Sequence, residues 1–484
     1  MVTQSPTSAP ASPVPGWFVL GLLVLPWVHP WAPGPQSNTV PLLVSWGALA
    51  TLLVLRRLPS VPELAQAWAI AAVIGSAMGL LQYFGEAAHL GGWVHVPAYL
   101  GDAVGNLRQR NQLATLTSLG AVAVLWWQGQ GLWRPHAVWM LALLAAGNAA
   151  TGSRTGLLQW LLLPALVAVW QMVSPARRPV WSWPLLLWAM GVYLLASVAL
   201  PHALALWSGA DVNSALERMG DMAGCGSRGV LWSNVLHLIG HKPWTGWGWG
   251  ELKYAHYMAS YPGIRFCDIL GHAHNLPLQL AFAFGIPAAL LISGGLIALV
   301  LRAQPWRLKR ASDSLAWGVL AMVGLHSLLE YPLWYGPFQL ATLAAVLMRW
   351  TQACQWLAAR RSTLQLLGAV VLALVLLIGA DYQRMRQIYL PHAQRWSVWR
   401  EDPWTAARQT LFFSQAVRFA EVTTTPVTPA NAAAMLRASE KALHYSPEPR
   451  VIERLIESAR LSGRADLADW HTQQKSAVYG ADGR

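Results

Sequence analysis

Charge is scarce in this chain: only 11% of its 484 residues are Asp, Glu, Lys or Arg, against about a quarter in a soluble globular protein. That deficit excludes an ordinary soluble fold. Cysteine is scarcer still. Cys225, Cys267 and Cys354 are too few for a disulfide framework; Cys225 and Cys267 fall in one polar segment on the outer, oxidising side, where a bond between them is a hypothesis that the sequence leaves open. Acidic residues and lysine are nearly missing from the interiors of the apolar runs, and no internal repeat is visible. Both absences argue against a lipid-linked glycan transporter, which needs ionisable groups at mid-membrane and commonly carries repeated halves. Residues 1–15 are rich in Ser, Pro and Thr and hold no Lys or Arg, so they read as a disordered tail rather than a signal peptide. No basic–aromatic cluster accompanies the net charge of +13, which removes nucleic acid as a partner.

What the sequence has is apolar length. Hydrophobic residues make up 55% of it, and they gather into about eleven runs near the ~20 residues that cross a bilayer. The runs cover residues 16–32, 40–55, 62–83, 113–128, 136–152, 155–174, 182–201, 275–301, 314–331, 336–353 and 363–380. Many of the 29 tryptophans, among them Trp17, Trp126, Trp127, Trp181 and Trp350, flank these runs as an aromatic belt does. Basic residues fall in alternate connections: Arg56 and Arg57, Arg134, Arg177 and Arg178, Arg302 to Arg310, and Arg349 to Arg361. The positive-inside bias puts those connections in the cytoplasm, the N-terminus inside and the C-terminus outside. The expected fold is therefore all-α: a polytopic membrane domain over 16–380, a large outer loop at 202–274, and an outer helical domain over 381–484. In that last domain, helix patterns broken by Ser446–Pro449 and Gly463 resemble a tetratricopeptide-like hairpin.

Several polar residues sit at the outer ends of the spans, where charge is costly and marks function. Arg154 lies in Gly152-Ser153-Arg154-Thr155-Gly156, and Arg228 in Gly226-Ser227-Arg228-Gly229. A guanidinium keeps its charge and grips phosphate with two parallel hydrogen bonds. Gly271-His272-Ala273-His274-Asn275 brings two imidazoles to a loop–helix junction, where a histidine can exchange a proton near neutral pH. His326 and Glu330 are four apart on one helix face, placed to pair or to support the site, and Tyr331 follows. Asp268 beside the two loop histidines is the nearest approach to a metal set, but no further His or Cys cluster completes it, so no metal and no cofactor are expected.

These segments resemble the O-antigen ligase/polymerase superfamily. The likeness rests on Arg154 and Arg228 in their glycine settings, Trp244 to Gly250, and His272 to Asn275 running into Phe284-Gly285-Ile286-Pro287. The segment His326 to Tyr335 is similar to its bacterial protein O-oligosaccharyltransferase branch, the PglL-type pilin-glycosylating enzymes. Asn106 to Leu113 also matches, except that Arg110 stands where a small residue or proline is expected before Asn111. The resemblance implies an inner-membrane enzyme that moves a glycan from undecaprenyl diphosphate to a hydroxyl of a periplasmic protein such as a pilin. His274 would be the base, and Arg154 and Arg228 would stabilise the diphosphate. Arg110, Asn111, His272, Asn275, His326, Glu330 and Tyr331 would contact substrate. Transfer to lipid A-core and O-antigen polymerisation are the neighbouring activities it leaves open.

Overall fold

The computed structural model describes residues 14–131, 134–173, 181–209, 224–350 and 360–480. Arg177, Arg178 and Cys354 lie outside them. Among the described residues there is helix and no strand. Nine described α-helices come before the outer loop's end: α1 (Gly16–Val28), α2 (Thr39–Val54), α3 (Val61–Tyr83), α4 (Arg110–Gly129), α5 (Arg134–Ala150), α6 (Arg154–Val173), α7 (Trp183–Ser208), α8 (Arg228–His241) and α9 (Leu252–Met258). Then come α10 (Leu276–Phe284), α11 (Ile286–Ala303), α12 (Ala311–Leu329), α13 (Gly336–Arg349) and α14 (Arg361–Arg386). The C-terminal part holds α15 (Pro403–Arg408), α16 (Ser414–Thr424), α17 (Ala432–Tyr445), α18 (Pro449–Leu461) and α19 (Ala465–Tyr479). Among the described residues, six helices are long and apolar enough to cross a membrane: α3, α6, α7, α11, α12 and the one over residues 362–389.

Helix α4 is the axis of the membrane part, buried without a break from Gln112 to Trp127. Small residues let its neighbours come close, as membrane helices require. Gly120 of α4 lies on Ala72 of α3, and Gly147 of α5 lies on Ser76. By contrast α11 buries only Ala289, so its Leu and Ile side chains face outward, as lipid-facing surfaces do.

One expected span is corrected. Residues 275–301 do not form a single helix but break at Gly285, whose φ is 85°. The cause is long-range. The loop Pro243–Gly250 docks its backbone on this turn: Ile286 donates to the Pro243 carbonyl at 2.7 Å, and Trp247 to that of Phe282 at 2.8 Å. A Cβ on Gly285 would strike the Trp244 carbonyl. Gly246 of that loop serves the same close packing, since a Cβ there would strike the backbone of Ala283 and Phe284. Other boundaries move by a few residues; α4 begins at Arg110, which puts Arg110 and Asn111 in its first turn.

The loop segment has its own core of Leu231, Val235, Leu238, Leu252, Phe266 and Phe282. Asn234 cross-ties it, donating to the Ile264 carbonyl at 3.0 Å and accepting from the Phe266 amide at 2.8 Å. Cys225 and Cys267 are joined as a disulfide, with Cα atoms 5.4 Å apart. Tyr257 of α9 enters the core of the C-terminal helices beside Leu443, Val451 and Leu455, and its hydroxyl lies 3.0 Å from His471 Nδ1.

Candidate functional site

Four helices begin at one cavity, and their capping residues explain why. Gln109 accepts from the Gln112 amide at 2.8 Å to start α4. Ser153 accepts from the Gly156 amide at 3.0 Å to start α6. Ser227 caps α8 through the Val230 amide at 3.3 Å, and Asn275 caps α10 through the Leu278 amide at 3.0 Å. Side-chain oxygens at these positions satisfy amides that would otherwise have no partner.

The first residue of each of the first three helices is an arginine: Arg110, Arg154 and Arg228. A cation at a helix N-terminus is repelled by the helix dipole, so three in one place break a local rule, as functional sites do. An anion bound between them would be attracted both by the guanidinium groups and by the peptide N–H ends. All three line the same cavity, of about 340 Å³, together with Asn111, Ser153, Phe266, His274 and Glu330. Arg110 is also paired with Asp102.

Glu330 ties the site together. It follows the last turn of α12 and is 7% exposed. Its Oε1 accepts from Arg228 Nη2 at 2.7 Å and from Asn111 Nδ2 at 2.9 Å. Its Oε2 lies 2.6 Å from His274 Nδ1. Burial by itself would raise the Glu330 pKa, but contact with His274 and the Arg228 charge outweigh it and hold the group below the usual carboxylate range. The site therefore contains an ionised, buried carboxylate. Ser153 extends the network by donating to Asn111 Oδ1 at 2.6 Å.

His274 has φ of 49°, a left-handed conformation that non-glycine residues rarely adopt. Asn275 sustains it from the next position, donating to the Leu328 carbonyl at 2.9 Å while capping α10. Such strain persists only where surrounding contacts enforce it, and it gathers at functional sites.

The residues singled out from sequence divide into two groups. His274, Arg154, Arg228, Arg110, Asn111 and Glu330 converge on the cavity. His272, Asn275, His326 and Tyr331 are not among its lining residues. His272 is stacked on Tyr331, with ring centroids 4.1 Å apart, and meets Trp334 edge-on. Burial, then the charges of His274 and Lys253, lower its pKa to about 4, so it is neutral near pH 7. His326 is buried in the helix bundle and contacts Thr115 Oγ1 at 2.9 Å through Nδ1. It does not pair with Glu330, which turns its carboxylate to Arg228, Asn111 and His274 instead. Gln109, Ser153 and Asp102 were not picked out from sequence. The Ser-Arg step repeated at 153–154 and 227–228 was the available signal, since it places a cap directly before the cation.

Comparison with known proteins agrees with this pattern. Three family models match in order along the chain. A protein glycosylation ligase model covers residues 103–127, an O-antigen ligase model 139–293, and the C-terminal model of a virulence factor membrane-bound polymerase 314–484. The chain is thus similar to the O-antigen ligase superfamily, as its motifs led us to expect. Within that class, the curated relatives are O-oligosaccharyltransferases. One is a general O-oligosaccharyltransferase of Acinetobacter baylyi, 26% identical over 286 residues, which are 56% of this chain and 47% of the relative. Another is a ComP-specific O-oligosaccharyltransferase of the same organism, 29% identical over 112 residues, 23% of this chain and 20% of the relative. The match spans less than half the length of either relative.

Proposed function

We propose that the protein transfers a glycan from undecaprenyl diphosphate to a Ser or Thr hydroxyl of a periplasmic protein such as a pilin. The observation that carries this reading is the single cavity where three arginines at helix N-termini face a histidine backed by a buried carboxylate. An alcohol is a weak nucleophile at neutral pH, so a base that takes its proton as it attacks lowers the barrier. His274 is assigned that role through Nε2, since Nδ1 is held by Glu330. The carboxylate fixes the ring and stabilises the imidazolium that forms, as an acid partner does in hydrolytic triads. The acceptor oxygen bonds to the anomeric carbon, the bond from that carbon to the diphosphate oxygen breaks, and the diphosphate leaves with its electron pair. Arg154 and Arg228, with Arg110 beside them, stabilise the charge that builds on the leaving group. These cations supply the electrostatic role a divalent metal would fill, so the reading assigns no metal. Asn111 and Ser153 keep Glu330 in place. His272, Tyr331, Asn275 and His326 are assigned to shaping the site rather than touching the reacting atoms.

The same reading puts the chain in the bacterial inner membrane with about eleven crossings over residues 16–380. The cavity and the loop 202–274 face the periplasm, and residues 381–484 form a periplasmic, tetratricopeptide-like domain. A protein acceptor is favoured over lipid A-core because both relatives are O-oligosaccharyltransferases, one of them ComP-specific. Co-expression with a glycan-loading pathway and a candidate pilin, in cells lacking their own ligase, tests it. Sugar on protein is the expected result. Sugar only on lipid A-core would replace the protein acceptor with a lipid one, and sugar on neither would overturn the transfer reading.

A further inference from the structure

Helix α14 begins at Arg361, and the next charged residue in the sequence is Asp381. The stretch between them is about 30 Å long at 1.5 Å per residue, which matches the ~30 Å hydrocarbon core of a bilayer. Asp381 therefore marks the hydrocarbon edge. Leu366, Val370, Leu374 and Leu377 are exposed along this helix. Their spacing of three and four residues makes them one stripe, which faces lipid. Asp381 is the next position on the same stripe, yet it is buried. The turn between α15 and α16 covers it. One carboxylate oxygen accepts from the Thr410 hydroxyl at 2.8 Å, the Leu411 amide at 3.0 Å and the Phe412 amide at 2.9 Å. That turn is thereby fixed at the hydrocarbon edge, directly above the lipid-facing stripe.

The side chains of the turn divide. Phe413 packs inward on Tyr382, with ring centroids 5.2 Å apart. Leu411 and Phe412 are 68% and 52% exposed, although large apolar groups gain by leaving water. Farther out, the Trp396 amide donates to Gln387 Oε1 at 2.9 Å. Gln387 lies six residues past Asp381, about 9 Å along the helix axis. Trp396 is exposed and stacks on Trp399 at 5.4 Å, so the pair stands near headgroup level, where tryptophan gathers. Residues 381–412 carry five arginines, at 384, 386, 395, 400 and 408, against Asp381, Glu401 and Asp402. That excess of positive charge suits anionic headgroups.

We infer that residues 396–412 form a membrane-docking face, with Leu411 and Phe412 inserted at the hydrocarbon edge and the tryptophans and arginines among the headgroups of the same leaflet. The face continues the lipid-covered stripe of α14, which selects bilayer lipid over a second copy or a protein partner. It ties the C-terminal helices to the membrane at a second place besides α14 itself. The inference rests on α14 crossing the bilayer and is independent of glycan transfer.

Nitroxide labels on the full chain test it, in vesicles of phosphatidylethanolamine and phosphatidylglycerol. Labels at Leu374→Cys, Phe412→Cys and Leu461→Cys are compared in a Cys354→Ser background, with the Cys225–Cys267 disulfide left in place. Collision with oxygen reports hydrocarbon, and collision with a nickel chelate reports water. The label at Phe412→Cys should resemble that at Leu374→Cys and meet the chelate about tenfold less than that at Leu461→Cys, since a polar probe is excluded from hydrocarbon. Leu411→Asp with Phe412→Asp should raise chelate access at a Val398→Cys label about threefold, because charge is expelled from the hydrocarbon edge. A Phe412→Cys label as open to the chelate as Leu461→Cys, beside a lipid-embedded Leu374→Cys, overturns the docking face and leaves the span standing. Chelate access at Leu374→Cys as well removes the span on which the face rests. Dipolar broadening at Phe412→Cys that vanishes on dilution with unlabelled chain gives the face to a second copy instead.

Discussion

One helix, α12, has an ion cluster at each end, and the two are built differently. At its start Asp313 is fully buried, 2.6 Å from Arg349 Nη1 and 3.1 Å from Arg310 Nη2. Its Oδ2 also accepts from the Lys309 and Arg310 amides at 2.8 and 2.9 Å. Arg310 spends its remaining reach on the carbonyls of Met348 and Arg349. Beyond the other end, Glu330 is held by a comparable number of donors, yet Arg228 and His274 both border a cavity. Burial and charge pairing are therefore common to a helix lock and a candidate active site. What separates them is where the partners lead: those of Glu330 share a cavity with two further arginines, Arg110 and Arg154, whereas Arg310 beside Asp313 turns its donors to backbone carbonyls.

Breaking the comparison at its reactive end should give the largest effect. His274→Ala is expected to lower transfer by at least about 100-fold, the range for a lost general base, with an unchanged thermal midpoint in detergent. Transfer at the parent rate would remove the base assignment. The two carboxylates sharpen the contrast next. Glu330→Gln should cost about 100-fold in kcat because His274 loses its acid partner. Asp313→Asn should destabilise by about 3 kcal/mol, as when a buried ion pair is cut, while activity per folded molecule stays near normal. Kinetics alongside thermal melts of both variants decide this, and an inactive but stable Asp313→Asn protein would defeat the distinction. Arg154→Lys should be nearly as slow as Arg154→Ala, since an ammonium cannot grip phosphate bidentately; a fully active lysine variant contradicts the clamp.

The smallest effect concerns acid. Burial lowers His256 to about 3 and His471 to about 4, and with neighbouring charges it lowers His272 to about 4. Each is neutral when folded and binds its proton more readily when unfolded. Their stabilisation is complete above pH 6.5 and is lost as pH falls toward 4, by about 2 kcal/mol each near pH 5. The packing of α9, at His256 and at its contact with His471 of the C-terminal helices, and the His272–Tyr331 stack beside Glu330 should therefore both loosen in acid. Limited proteolysis between pH 7 and 5 checks this; cleavage independent of pH would contradict it.

Much of this was legible in the chain, and what was not had a common cause. Apolar runs marked the helices because bilayer-length segments need no tertiary information. Arg154, Arg228 and His274 were legible because charge at a span end is rare. The break at Gly285 was hidden because residues 243–248 create it from outside the run. Glu330 read as a helix neighbour of His326, yet its partners Asn111, Arg228 and His274 lie far off in sequence. The difference between His272 and His274 also escaped local reading. Two residues apart, one turns into an aromatic stack and the other, through a left-handed backbone, into the cavity.

The helix starts around that cavity have one more consequence. Their N–H groups belong to the main chain, and of the side-chain exchanges only one to proline deletes such a group. Part of the pull on an anion therefore survives the loss of an arginine side chain, and removing any one guanidinium should weaken substrate capture less than it slows turnover. Small multivalent anions, such as inorganic pyrophosphate, should for the same reason act as inhibitors even of single-arginine mutants.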